Sequence, residues 1–267
     1  MSLQITHNAG FFSCCSVFLH DLVNYFNTHH RLPTELDSSR TFDWYKRPDQ
    51  KNEDITNEYF KKHNEGSSNF CFSWESYVNY HHIHQFENYK DLDYKNLNNF
   101  IVKYFSPSDS ILNYITIFEE KYIKNNNFNY ENLCVLFYRG NDKNTETELC
   151  GYDQFIQKGR EVLAQNPNVS FLIQSDETEF IETMQREFPN SFYFKDEIRH
   201  MRKNNSTVDI VYRSQNYEFS KYYLAITMIM GKCKYIVCSS GNCSIWIMLF
   251  RMHANNVMQF LHNKWIQ

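Results

Sequence analysis

The residues best suited to chemistry are Arg139, Asp142 and Lys143, grouped just after an apolar run, 133–138, with Gly140 and Asn141 between them. Mostly apolar residues that stop at a turn signal read as a buried strand entering a loop. Ligands of open α/β sheets sit beyond the carboxyl ends of such strands. Arginine offers a planar fork of donors that fits phosphate there. On their own, the same residues also fit a surface turn with solvated charges. A second group, Ser239, Ser240, Gly241 and Asn242, follows the apolar stretch 235–238 and precedes a helix through Trp246, Leu249 and Phe250. Hydroxyl and amide donors, a glycine that admits close approach, and a helix N-terminus together outline a phosphate site. Arg139 on a neighbouring strand end would face the same anion, so a diphosphate could be held without a metal. A third loop carries Ser175, Asp176 and Glu177, where Asp176 also fits a plain helix N-cap.

These loops require a regular scaffold, and the pattern from 133 onwards supplies one. Strand-like stretches at 133–138, 169–174, 192–194, 208–212 and 235–238 alternate with helical spacing around 152–165, from 176 to 188, near 217–230 and through Trp246. Alternation of this kind predicts a doubly wound parallel sheet. The chain also opens as strand, loop and helix, with Leu3 and Ile5 before Asn8 and Gly10, and an apolar stripe from Phe12. Asn8 and Gly10 at that junction could present backbone N–H groups to an anion, or simply start the helix. Ser106 and Pro107 predict a capped helix carrying Ile111, Ile115 and Phe118. The polar run 124–127 marks a domain boundary, giving an α/β domain over 1–125 and a second over 126–267. Residues 29–100 show short aromatic patches that suit either sugar stacking or core packing. His81 and His84 could converge on a helix, but no partner ligand is evident, and no metal site is assigned.

A chain of 267 residues with 42% hydrophobic and 17% aromatic content can bury large cores. A net charge of -4 gives no footing for nucleic acid or an anionic membrane as principal partner. Its 8 cysteines lack zinc-knuckle spacing and read as buried thiols in a reducing, cytoplasmic setting. No apolar run approaches the length of a membrane span, and no signal-peptide pattern opens the chain. P-loop and dinucleotide motifs are missing.

The segment Phe137-Tyr138-Arg139-Gly140-Asn141-Asp142-Lys143 resembles the His-x-Arg-Arg-x-Asp-Lys motif of the α-1,6-fucosyltransferase and protein O-fucosyltransferase superfamily. Residues 173–177 resemble its Ala-Thr-Asp-Asp segment, 235–240 its Leu-Val-Cys-Thr stretch, and 8–13 its opening glycine loop. Phe137 stands where the motif has His, Gly140 where it has the second Arg, and the helical aspartate is missing near Ile226 and Thr227. The resemblance implies a GT-B-like α/β architecture of two Rossmann-like, doubly wound parallel-sheet domains facing a cleft. The first would face the acceptor and the second would bind the nucleotide sugar. It implies an inverting, metal-independent fucosyltransferase acting from GDP-fucose, or a related nucleotide sugar, on a glycan or protein hydroxyl, with no cofactor. Arg139 would be the catalytic cation on the β-phosphate. Ser239, Ser240, Gly241 and Asn242 would line the pyrophosphate, Asp142 would brace Arg139 or the loop, and Asp176 would lie near the nucleotide. Asp43, Glu35 and His84 are candidate bases in the acceptor half. The alternative is a non-catalytic protein of the same fold that binds a glycan or a nucleotide sugar.

Overall fold

The computed structural model describes residues 2–62 and 77–267, so Gly66 and the Phe70-Cys71-Phe72 patch lie outside the described residues. Strands β3 (Leu133–Tyr138) and β4 (Ser170–Ser175) are buried at every position, which requires cover on both faces of their sheet. They sit inside a six-stranded sheet ordered β5-β4-β3-β6-β7-β8, where β5 is Ser191–Phe192, β6 Tyr235–Ser239, β7 Val257–Leu261 and β8 Lys264–Ile266. Every pairing is parallel except β7 with β8. That last pair is a hairpin whose two turn residues, His262 and Asn263, both take positive φ (49° and 59°), as a tight right-twisted turn demands.

The cover is read from alternation along β3. Tyr138 packs among Tyr152, Phe155 and Phe180 of α5 (Tyr152–Gln165) and α6 (Thr178–Glu187). Phe137, its neighbour, turns to the opposite face, where α8 (Asn216–Lys232) and α9 (Asn242–Arg251) pack together. Gly159 is required on α5, because a Cβ there would come within 2.5 Å of the Phe188 ring.

The first half is built around α1 (Phe11–His29), whose buried stripe includes Phe11, Phe18, Leu22 and Phe26. It joins β1 (Ser2–His7) to β2 (Glu35–Thr41), which pair in parallel. This sheet has two strands among the described residues, so the wound α/β unit expected here is reduced to one β-α-β crossover. Short helical turns take up much of the remainder, among them α2 (Thr56–Tyr59), before α3 (Tyr94–Tyr104) and α4 (Asp109–Phe118). The α4 N-cap is Ser108, whose Oγ accepts from Ile111 N, and not Ser106, whose hydroxyl donates to the Val102 carbonyl. The strand expected over 208–212 is instead the one-turn helix α7 (Val208–Val211), because Thr207 caps it and redirects a β-branched run.

One continuous core joins the two halves. The Trp246 indole on α9 donates to Ser16 on α1 at 3.0 Å, and Tyr59 meets Ser220 of α8 at 2.9 Å. Glu58 clamps Lys221 at 2.6 Å and accepts from Tyr217 and Gln50. All seven described cysteines are free and buried. No described helix is long and apolar enough to cross a membrane.

Candidate functional site

The carboxyl ends of β1, β3 and β6 open on one cleft of about 270 Å³ between the two halves. Gly10, Arg139, Asp142, Ser240, Gly241 and Asn242 all line it. Asn8, Asp176 and Ser239 do not, and their bonds show why. Asn8 exchanges hydrogen bonds with Asp43, at 2.9 and 3.0 Å, tying the end of β1 to the end of β2. The Ser239 hydroxyl is buried and accepts from the Arg139 backbone N–H at 3.3 Å, joining β6 to β3. Larger grooves of about 760 and 810 Å³ lie around residues 251–256, near the amino-terminal ends of β6 and β7. Strand amino ends carry no converging loops in this topology, so the smaller cleft is the better candidate.

Among the described residues, two cations line that cleft, Arg139 and Lys143, the latter paired with Glu146 and Asp142. Arg139 Nε donates to Asp176 Oδ2 at 3.0 Å, and its Nη2 makes a long 3.5 Å contact with Asp142. Asp176 is 4% exposed, and its second oxygen accepts from Gly140 N–H at 3.0 Å. Asp176 is therefore not the N-cap of α6, a position held by Glu177. It orients the guanidinium by its Nε edge and leaves the terminal edge towards the cleft. Burial opposes the Arg139 charge, but Asp176, Tyr223 and Asp142 outweigh it and hold the group cationic. Asp142 is pushed up by burial and pulled back in part by Arg139 and Lys143.

Glu177 explains the glycine at 140. Its carboxylate is fully buried, accepts from Asn141 N–H at 3.0 Å and from the Tyr152 hydroxyl, and occupies the space beside the Gly140 Cα. A Cβ at 140 would fall 2.3 Å from that carboxylate, so a larger residue there must displace Glu177 from its bonds to Asn141 and Tyr152. Phe137, in the place of the motif's imidazole, is a buried wall of the cleft. Ile226 and Thr227, where a helical aspartate was sought, are core positions of α8 with no exposure. One turn earlier, Tyr223 does reach the cleft, and its buried hydroxyl has no hydrogen-bond partner.

The loop from β6 into α9 is only partly available. The Ser240 hydroxyl donates to the Phe260 carbonyl at 2.7 Å, and Gly241 N–H donates to Tyr89 Oη at 3.0 Å. Gly241 has φ +152° and ψ 175°, a conformation that L side chains rarely adopt. Its geometry starts α9 with no side-chain cap, so the first-turn N–H groups of Asn242, Cys243 and Ser244 remain to be satisfied. These donors, more than the serine hydroxyls, are what the helix offers an anion.

Tyr223, Asp209, Trp44 and Gln85 also line the cleft and were not singled out from the sequence. Asp209 pairs with Arg199 at 2.6 Å and accepts from Tyr45 at 2.9 Å. Of the candidate bases, Asp43 stands next to cleft-lining Trp44, half exposed and paired with Lys46 at 2.7 Å. Glu35 is at the start of β2, opposite Ser2 and about 20 Å of strand from the cleft end, so it lies outside the site. His84 is buried, 3.4 Å from Glu87, with its Nδ1 accepting from His81 N–H.

The fold has counterparts of known structure. Fucosyltransferase NodZ from Bradyrhizobium superposes with a TM-score of 0.56 at 11% identity, over 97% of this chain and 95% of that one. NodZ α-1,6-fucosyltransferase soaked with GDP-fucose gives 0.51 at 11% identity, covering 100% of this chain and 98% of that one. The form co-crystallised with GDP gives 0.50 at 12% identity, over 97% and 94%. No protein-family model matches the sequence, and no curated protein matches it. The chain has the GT-B-like α/β fold of fucosyltransferase type.

Proposed function

We propose that this chain is a glycosyltransferase that takes a sugar from a nucleotide sugar, with GDP-fucose as the donor the resemblance favours, and passes it to a glycan or protein hydroxyl. One observation carries the reading: an arginine locked by a buried aspartate faces an uncapped helix N-terminus across a single cleft. Breaking a glycosyl–phosphate bond builds negative charge on the departing diphosphate. Fixed donors aimed at that charge stabilise the transition state more than the ground state. Arg139 supplies the cation and the first turn of α9 supplies the amides, so the clamp needs no metal or other cofactor. The three described carboxylates lining the cleft are already engaged, Asp142 with Arg139 and Lys143, Glu146 with Lys143, and Asp209 with Arg199. Trp44 and Gln85 belong to the first half and form the wall from which an acceptor would approach. Attack from that wall, opposite the diphosphate, inverts the anomeric centre.

The decisive assay incubates the chain with GDP-fucose and other nucleotide sugars, with chelator present, and follows free nucleoside diphosphate as acceptors are added. Donor binding followed by acceptor-dependent release supports transfer. No binding by any nucleotide sugar refutes the reading. Paired carboxylates in the cleft also suit a non-catalytic nucleotide-sugar binder, and donor binding without release across a broad acceptor panel would select it.

A further inference from the structure

His81 and His84 stand out in the sequence, but His81 converges with His20 and His82 and not with His84. His20, midway along α1, meets His81 and His82 at the start of the turn 82–86, with one ring nitrogen or other ligand atom of each within 4.8 Å of the others. Their ring centroids are 4.2, 4.3 and 5.1 Å apart. No hydrogen bond joins the three rings to one another, and two of them keep a ring nitrogen without a partner. His20 Nδ1 and His82 Nδ1 are both buried and without a partner. Buried ring nitrogens left this way are costly unless something accepts their lone pairs.

We propose that His20, His81 and His82 bind a divalent transition-metal ion, zinc above all, in a site separate from the diphosphate clamp. An all-imidazole set suits zinc, nickel and copper and disfavours magnesium and calcium. Three protein ligands leave a fourth position for water or another oxygen donor. Bonds of about 2.0–2.1 Å to a tetrahedral ion bring ligand nitrogens to roughly 3.3 Å from one another, and these lie within 4.8 Å. The Asn24 amide nitrogen lies 2.8 Å from His20 Nε2 and donates to it; ligation through Nδ1 requires the amide to turn over, so that its oxygen accepts Nε2–H, the outer contact typical of ligand histidines. His81 Nδ1 accepts from Ile83 N–H at 3.2 Å, and ligation through either ring nitrogen means releasing that bond. Burial lowers the pKa of His20 and His82, which favours neutral rings.

Ser13, a cleft-lining residue of α1, is seven residues from His20, about 10 Å at the helical rise. The ion therefore does not meet the diphosphate. It pins the turn carrying Gln85, a cleft residue, onto α1.

The test treats the full chain with chelator, removes it, and titrates zinc chloride by calorimetry, with cobalt(II) absorption reporting the ligand field. One tetrahedral ion per chain and a raised melting temperature are expected. His82→Gln and His20→Gln should each abolish that stoichiometric site, and Asn24→Ala should weaken it about 10–100-fold. Circular dichroism confirms folding, and His253→Gln, at a distant histidine, should leave binding unchanged. Absence of a stoichiometric site in the wild type, or its survival in both His20→Gln and His82→Gln, overturns the proposal. The readout involves no nucleotide sugar, so it stands or falls independently of the transferase reading.

Discussion

Replacing Asp176 by Asn isolates the contact that aims Arg139. The carboxylate accepts from Arg139 Nε and from Gly140 N–H, both at 3.0 Å, with one oxygen for each. An asparagine keeps one acceptor and turns an NH₂ towards the other donor. A hydrogen bond to a charged group contributes about 1.5–3 kcal/mol, and stranding one charge of a buried pair costs about 3–5 kcal/mol. The Arg139 side chain is 23% exposed, so water recovers part of that loss and the lower range applies. The expected destabilisation is about 2 kcal/mol, which moves a urea midpoint by about 0.7 M if the denaturant slope is about 3 kcal/mol per molar. A double-mutant cycle with Arg139→Ala should show coupling of similar size, because each substitution removes the same interaction. The freed guanidinium should also cost about 100-fold in turnover, as a misplacement near 1 Å does. An unchanged midpoint, or additivity within about 0.5 kcal/mol, would refute the assignment of Asp176 as the residue that positions Arg139.

Arg139→Ala should lower kcat by about 10²–10³, and Arg139→Lys should not restore it because the planar fork is lost; steady-state kinetics on both decide the point. Gly140→Ala sets a methyl against the buried Glu177 carboxylate and should cost about 1–3 kcal/mol in thermal or urea unfolding, with Gly140→Ser no better. Glu58 titrates lower in the folded chain than outside it: burial raises its pKa, but Lys221, Tyr217 and Gln50 together outweigh burial. Its stabilisation is complete above the unfolded carboxyl value, about 4.3, and disappears as pH falls through the lower folded value. Glu58→Gln should therefore flatten the acid limb of a stability–pH curve by about 0.5–1 kcal/mol, while parallel curves would show the clamp to be inert.

Much of the second half was legible because burial imposes a plain code. Strand β3 and helix α5 fall where the apolar run and the helical spacing place them, since both are local patterns. Residues 208–212 mislead because valine and isoleucine favour strands, while the Thr207 cap and the exposure of Ile210 and Val211 make a helical turn there. The first half yields little to periodicity. Its β2 strand, ELDSSRT, alternates no apolar residues, and its stability comes from pairing with β1 and from Asp54 and Thr56 bonding Ser38. Residue type and loop position single out Arg139, Gly241 and Asn242, and all three line the candidate cleft. Glu177 was not, because its role depends on a contact with Gly140 across neighbouring strand ends. Nor was Tyr223, whose helix looks like ordinary core although the residue lines the cleft and its buried hydroxyl has no hydrogen-bond partner.

The central claim, that Arg139 and the start of α9 grip one diphosphate together, is tested most directly by a crystal structure of the chain with GDP and chelator. The β-phosphate should lie within hydrogen-bond reach of the Arg139 guanidinium and of the N–H groups of Asn242 and Cys243 at once. GDP bound with its phosphates turned away from either group would contradict the account.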